Sequence, residues 1–299
     1  TSTIGYLEYL PQDYHTNSNA YPLVMFLHGL GERGAASVIP ADIQKSIGLV
    51  ARHGPPKHVN NGVQFPFILI SPQLKSNYGD WQTAYIKEVL DYCRTYLRID
   101  ERRIYLTGLS LGGGGTWWAA QDLPKTFAAI APVCGSRNTL SKACNLALEN
   151  LPVWAFHGDA DATVPVSRTI NMVNAINNCT PAPMPLALKT IYSGVGHNAW
   201  DNAYRPNNTL HNPNLYQWML SHTNTMNGNN RTPIADAGAD VTITLPDRSI
   251  TLPGNAIDVD GTITQYNWYK MSGPAVAPVA TNQPQLALNN LLAGEYVWR

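Results

Sequence analysis

The chain has 299 residues, 20 basic and 20 acidic side chains, and no formal net charge at pH 7. Charged residues make up only 13 % and apolar ones 44 %, so a large core is available and much of the surface must be polar without being charged. A neutral chain offers no electrostatic footprint for a phosphate backbone, which argues against nucleic-acid binding. Eight Trp and fifteen Tyr argue against disorder.

No run of about twenty apolar residues occurs, so no membrane span is expected. The opening Thr1-Ser2-Thr3-Ile4-Gly5 has neither a basic region nor an apolar segment, and no signal peptide is read there. Cys93, Cys134, Cys144 and Cys179 show neither CxxC spacing nor the histidine partners of a zinc site. Free thiols and one bridge in an oxidising compartment both remain open.

From the N-terminus, Leu23-Val24-Met25-Phe26-Leu27 is apolar at successive positions and predicts a strand buried on both faces. Phe67–Ile70, Ile104–Leu106, Ala128–Ala131 and Val153–Phe156 repeat that type, and Leu186–Ile191 predicts a further strand. Between them Tyr85, Val89, Cys93 and Tyr96 recur at helical spacing. Ile170, Val173 and Ile176 mark a helix ending near Asn177-Asn178, and another helix is predicted from Thr116. Alternating strands and helices mean an α/β domain with a mostly parallel sheet, over residues 1–222. The polar stretch 223–232 reads as a linker. Beyond it the helical period stops. Val241–Leu245, Ile250–Leu252 and Tyr266–Tyr269 alternate between turn dipeptides, so residues 233–299 read as a small all-β sandwich.

Ligands of parallel sheets bind beyond the carboxyl ends of the strands. Three features lie at such ends. Gly108-Leu109-Ser110-Leu111-Gly112 follows the strand Ile104–Leu106 and precedes a helix, which is the strand–turn–helix setting of a nucleophile elbow. The loop His157-Gly158-Asp159-Ala160-Asp161 follows Val153–Phe156, and Gly194-Val195-Gly196-His197 follows Leu186–Ile191. A serine hydroxyl becomes a nucleophile when a neutral imidazole takes its proton, and a carboxylate holds that imidazole in the right tautomer. Ser110, Asp161 and His197 are therefore the candidate nucleophile, acid and base. Asp159 competes for the acid role but suits a turn acid bonding local backbone. His157 and His28 compete for the base but sit in glycine turns. A fourth feature, His28-Gly29-Leu30-Gly31-Glu32-Arg33-Gly34, lets backbone N–H groups point at a substrate oxygen, and the N–H groups of Leu30 and Leu111 are the candidate oxyanion donors. A phosphate loop is excluded there, because no Gly-Lys-Ser/Thr follows. This chemistry calls for no metal and no cofactor.

Together these motifs resemble the α/β-hydrolase superfamily over roughly residues 5–222. The pattern is similar to bacterial esterases labelled phospholipase/carboxylesterase or predicted peptidase. The shared blocks are Pro22–Gly29, Pro152–Gly158 and Gly196-His197-Asn198-Ala199-Trp200-Asp201. Related sequences include the feruloyl and acetylxylan carbohydrate esterases. The resemblance implies a serine esterase with Ser110, Asp161 and His197 as its triad. The run Gly112–Gly115 is longer than the family's usual pair and suits close helix–sheet packing. Residues 233–299 resemble a polycystic-kidney-disease (PKD) type β-sandwich, carried by Ala235–Asp240, Asp258-Val259-Asp260-Gly261 and Tyr266-Asn267-Trp268. That family continues with a further strand, so the module reads as cut short, leaving an exposed edge.

Trp81 and Trp200 are candidates to line the substrate site, since aromatic faces stack on sugar or hydroxycinnamoyl rings. Of the adjacent Trp117 and Trp118, only one can face any given side of a helix. The resemblance implies removal of acetyl or feruloyl groups from plant cell-wall polysaccharide, in a secreted or cell-surface bacterial enzyme that can carry further modules. A lipid-type carboxylesterase or lysophospholipase, a peptidase, and an inactive binding module are the alternatives.

Overall fold

A computed structural model describes residues 4–36, 39–224, 234–257, 263, 265–278 and 282–299. Two compact units divide the chain, Thr1–Asn227 and Gly228–Arg299.

The first unit is built on seven strands: β1 (Tyr6–Tyr9), β2 (Tyr21–Leu27), β3 (Ile68–Pro72), β4 (Ile99–Leu109), β5 (Ala129–Val133), β6 (Trp154–Gly158) and β7 (Leu188–Tyr192). Their order across the sheet is β1-β3-β2-β4-β5-β6-β7. All pairings are parallel except that of β1, which runs antiparallel along β3 with Tyr6 opposite Pro72. Among the described residues eight α-helices accompany the sheet: α1 (Pro40–Ser46), α2 (Gly54–Asn60), α3 (Thr83–Tyr96), α4 (Leu111–Asp122), α5 (Ala143–Leu148), α6 (Ser167–Asn177), α7 (Trp200–Ala203) and α8 (Leu215–Leu220). This is the architecture of an α/β-hydrolase.

Every residue of β2 is buried, and the period of two sends alternate side chains to opposite faces. Leu23, Met25 and Leu27 join Ile104 and Leu106 in one core, covered by Val89 and Cys93 of α3, Trp117 of α4 and Val173 and Ile176 of α6. Val24 and Phe26 join Tyr105 and Leu109 in the other, covered by Leu215, Trp218 and Met219 of α8. The doubly apolar strand text thus reports a sheet coated on both sides. Helix α4 begins at Leu111, five residues before the predicted start at Thr116, and takes in the whole glycine run. Of the paired tryptophans, Trp117 is fully buried, and Trp118 carries the Arg137 guanidinium 5.7 Å above its ring.

Cys144 on α5 is bonded to Cys179, just past α6, and Cys93 and Cys134 are buried free thiols. The bridge closes a sequence separation of 35 residues. Chain-entropy arithmetic for such a loop gives roughly 3–4 kcal/mol of stabilisation. Reduction is therefore expected to lower the Tm of this unit by roughly 10 °C. Calorimetry with and without a thiol reductant measures the shift. A Cys144→Ser/Cys179→Ser variant should melt at the lower temperature in both conditions.

From residue 225 the expected linker lies outside the described residues. Asn224 before it is tied to the first unit, its amide nitrogen donating to the Lys125 and Phe127 carbonyls.

The second unit is all-β. Strands β8 (Ile234–Asp236) and β10 (Asn255–Ile257), β9 (Ile250–Leu252) and β12 (Leu286–Leu288), and β11 (Lys270–Ser272) and β13 (Val297–Trp298) form three antiparallel ladders. Leu286, Leu288 and Leu291 are its buried centre, with Ile243, Ile250, Leu252 and Trp268 packed against them. The strands expected at Val241–Leu245 and Tyr266–Tyr269 are irregular. Val241 and Leu245 are exposed, so alternation there lacks the ladder partner that would have turned it into a strand.

Candidate active site

Ser110 occupies the single residue between β4 and α4, with φ +52° and ψ −112°. A side chain in that region is strained, and backbone bonds hold it there: Ser110 N–H donates to the Val133 carbonyl, and the Ser110 carbonyl accepts from Gly114 and Ser136. The turn demands glycine at position 112, where a Cβ would stand 1.9 Å from the Leu27 carbonyl oxygen.

Asp161 lies three residues beyond β6, and His197 lies five beyond β7. A Cβ at Gly158 would meet the Val195 carbonyl oxygen at 2.0 Å, so the bare backbone there lets the two loops close on each other. His197 Nε2 lies 2.9 Å from Ser110 Oγ, and Nδ1 lies 2.7 Å from Asp161 Oδ2. With the imidazole proton on Nδ1 and directed at the carboxylate, Nε2 is left as acceptor for the serine O–H. The three side chains picked from strand ends are thus brought into one hydrogen-bonded line. Asp159 points elsewhere, its Oδ1 accepting the Gly194 N–H.

The Asp161 side chain is fully buried. Burial alone would raise its carboxyl, but hydrogen bonds from His197, Val164 and Thr163 outweigh it and hold the group below the usual carboxylate range. Oδ1 accepts both the Thr163 and Val164 N–H groups at 2.8 Å. Oδ2 faces two imidazoles, because His157 Nε2 stands 3.1 Å away. His157 is fully buried, with Nδ1 against Thr169 Oγ1 and Nε2 against the Val164 carbonyl. Burial holds it below the ordinary histidine range, so it is neutral and donates through Nε2. Sequence reading took it as a turn residue. Its place four residues before Asp161 was the signal that it also supports the acid.

The Leu30 and Leu111 N–H groups sit at the start of a helical turn (Leu30–Glu32) and of α4, respectively. No protein acceptor takes either N–H among the described residues. First-turn N–H groups of a helix have no partner within it and point at anionic oxygen.

The loop carrying Leu30 is pinned by His28, which is buried: Nε2 accepts the Leu74 N–H at 2.9 Å and Nδ1 donates to the Gly29 carbonyl at 2.6 Å. Burial pushes its pKa down to about 4. Between about pH 4 and 6.5 the unfolded chain therefore binds a proton that the folded one refuses. His28 should contribute fully above about pH 6.5, and about 3 kcal/mol should be lost as pH falls to about 4. Denaturant melts of wild type and His28→Gln should converge by that amount across the window. Parallel curves would refute it.

Trp81 corrects an expectation. It is fully buried, donating Nε1–H to the His28 carbonyl and packing edge-on against the His28 ring. It supports the His28 loop and does not line a cleft, because its ring is packed into the core cluster that holds Leu27 and Trp117. Trp200 is half-buried, edge-on to His197 at 5.3 Å between ring centroids and against His53 at 5.4 Å. His53 in turn faces the buried carboxylate of Glu32 at 3.6 Å. Glu32 stands in the glycine-rich His28–Gly34 loop, whose sequence gives its carboxylate no role, and His53 stands in no motif and reads as a surface or packing residue. Cys134 offers its thiol to the His197 carbonyl. Among the described residues Cys134, Asp161 and His197 have metal-binding atoms within 4.8 Å of one another. Asp161 and His197 are already bonded to each other, and burial pushes the Cys134 thiol well above its ordinary value, which keeps it a poor ligand.

A profile of the phospholipase/carboxylesterase family matches residues 14–205. The chain belongs to that family. A K319L-like PKD domain profile matches residues 237–299. Among curated proteins, a bifunctional acetylxylan esterase/xylanase of Neocallimastix patriciarum is 23 % identical over 158 residues, 51 % of this chain and 21 % of that protein. A probable feruloyl esterase C of Aspergillus niger is 25 % identical over 180 residues, 58 % of this chain and 62 % of that protein. The family member therefore spans about a fifth of the first relative and three fifths of the second. The crystal structure of a thermostable esterase superposes with a TM-score of 0.54 at 29 % identity, covering 74 % of this chain and 59 % of that one. Among the described residues no helix is long and apolar enough to cross a membrane.

Proposed function

We propose that the protein is a serine esterase removing acetyl or feruloyl groups from plant cell-wall polysaccharide through a Ser110–His197–Asp161 triad. The observation that carries the reading is the unbroken hydrogen-bonded line from Ser110 Oγ through His197 to a buried carboxylate. Ser110 Oγ attacks the ester carbonyl carbon as its proton passes to His197 Nε2, and Asp161 stabilises the imidazolium. The oxyanion is received by the Leu30 and Leu111 N–H groups; such a donor contributes about 3 kcal/mol to the transition state. Collapse breaks the ester C–O bond, and His197 returns its proton to the departing sugar oxygen. Water then attacks the acyl-serine by the same route in reverse, releasing the carboxylic acid and restoring Ser110. The acyl choice draws on the acetylxylan and feruloyl esterase relatives. The Cys144–Cys179 bridge supports an extracellular site of action.

The test is a substrate panel of acetylated xylan, methyl ferulate, a lysophospholipid and a peptide amide. Acetylated xylan or methyl ferulate should be the best substrate. Consumption of lysophospholipid with both of these untouched would refute the wall-polysaccharide reading.

A further inference from the structure

Trp200 also lines a cavity of about 350 Å³ together with Gly54, Lys57, His58, Asp201, Arg205 and Asn207, within the size range of small-molecule sites. The acyl-transfer chemistry uses none of the other six. Lys57 has an acidic neighbour, Asp201, at the long distance of 4.0 Å. Arg205 is exposed and has no acidic partner among the described residues. Burial and the neighbouring Lys57 hold His58 below the ordinary histidine range, and its ring N–H is given to the Tyr204 carbonyl, so it forms a wall of the cavity without adding charge. Asn207 spends its carbonyl oxygen on the Thr209 N–H and hydroxyl, and its amide N–H groups have no protein acceptor among the described residues. The cavity thus presents two cations against one carboxylate, a spare amide donor and part of the Trp200 indole. A guanidinium fork without a partner matches a carboxylate bidentately, while the Trp200 ring suits a sugar face.

We infer that this cavity is a subsite for a carboxylate-bearing sugar, a hexuronic acid residue next to the acylated sugar of the substrate. Trp200 joins the two places: it touches the His197 ring that bonds Ser110 Oγ and it lines the cavity. The inference rests on the polysaccharide-esterase reading, and binding separates the two because it needs no turnover.

The experiment titrates Ser110→Ala calorimetrically with xylotetraose, with the same sugar bearing one glucuronosyl branch, and with trigalacturonate, at low and high salt. At least one acidic sugar should bind about 5-fold more tightly than xylotetraose at low salt, as expected of a surface charge pair. Branched xylotetraose and trigalacturonate distinguish a side-chain from a main-chain uronate. The advantage should shrink toward parity at high salt and in Ser110→Ala/Arg205→Gln. Equal affinity for acidic and neutral sugars, no binding by any of them, or an advantage that survives Arg205→Gln or high salt overturns the subsite. Failure of wild type to cleave both acetylated xylan and methyl ferulate would overturn the polysaccharide-esterase reading on its own.

Discussion

Ser110→Ala is expected to lower kcat on methyl ferulate or acetylated xylan by about five to six orders of magnitude, with KM little changed. The substitution removes one oxygen and nothing else that holds the elbow. Alanine keeps the Cβ, so the backbone at φ +52° is strained to the same degree in both proteins. The bonds from Ser110 N–H to Val133 and to the Ser110 carbonyl from Gly114 and Ser136 are main-chain bonds and survive. Thermal stability should therefore move by less than about 0.5 kcal/mol. Residual turnover, about a thousandfold over water, would come from oxyanion donors and substrate positioning alone. Two measurements separate chemistry from folding: steady-state rates beside a melting curve, and labelling of Ser110 by an organophosphorus acylation mimic. A variant that keeps a tenth of wild-type activity, or wild type that resists the label, would remove Ser110 as nucleophile.

How much of this was legible beforehand varied with how local each signal is. The elbow is five consecutive residues, and its glycines are demanded by the carbonyls of adjacent strands, so it could be read directly. The buried strands were equally plain, because β2 is apolar at successive positions when both faces are covered. The start of α4 was misplaced for the opposite reason. Four glycines in a row are poor helix formers, yet tertiary contact overrides propensity there: side chains at those positions would collide with Leu27, Val133 and Trp81. Strand β1 is four half-exposed residues on the sheet edge, too short for a period to show.

The acid and base were narrowed in the sequence by chain order, but order alone does not say which of two acids in one loop turns inward. The fold answers with hydrogen bonds, giving Asp159 to Gly194 and Asp161 to His197. Trp81 shows the reverse limit. Its position after β3 places it near the strand ends, yet whether it faces the cleft or the core is a three-dimensional fact, and it is buried in the core with its Nε1–H on the His28 carbonyl. The disulfide is of the same kind: sequence spacing left four cysteines equivalent, whereas only Cys144 and Cys179 are bonded, with Cα atoms 5.6 Å apart.

Asp161→Asn is expected to cost about four orders of magnitude in kcat while leaving the fold nearly intact. The geometry fixes which way the amide must face. Oδ1 takes the N–H groups of Thr163 and Val164, so the carbonyl oxygen of asparagine must stay there, since turning the amide would set donors against donors. The NH₂ group then occupies the Oδ2 position, 2.7 Å from His197 Nδ1. An amide donor at that place forces the imidazole proton onto Nε2, the nitrogen that has to accept the proton of Ser110. His157 cannot correct this, because its own Nε2–H also points at the Oδ2 position and can only retreat to the Val164 carbonyl. The wrong tautomer, held by two backbone bonds, is the cause of the loss. Asp161→Ala makes the contrast. It should be similarly slow but less stable by about 2 kcal/mol or more, because the Thr163 and Val164 N–H groups lose their acceptor. Rates beside denaturant midpoints for the pair decide the matter. An asparagine variant within tenfold of wild type would mean that Asp161 does not set the tautomer of His197, and equal instability of the two variants would mean that the amide does not sit as the backbone bonds require.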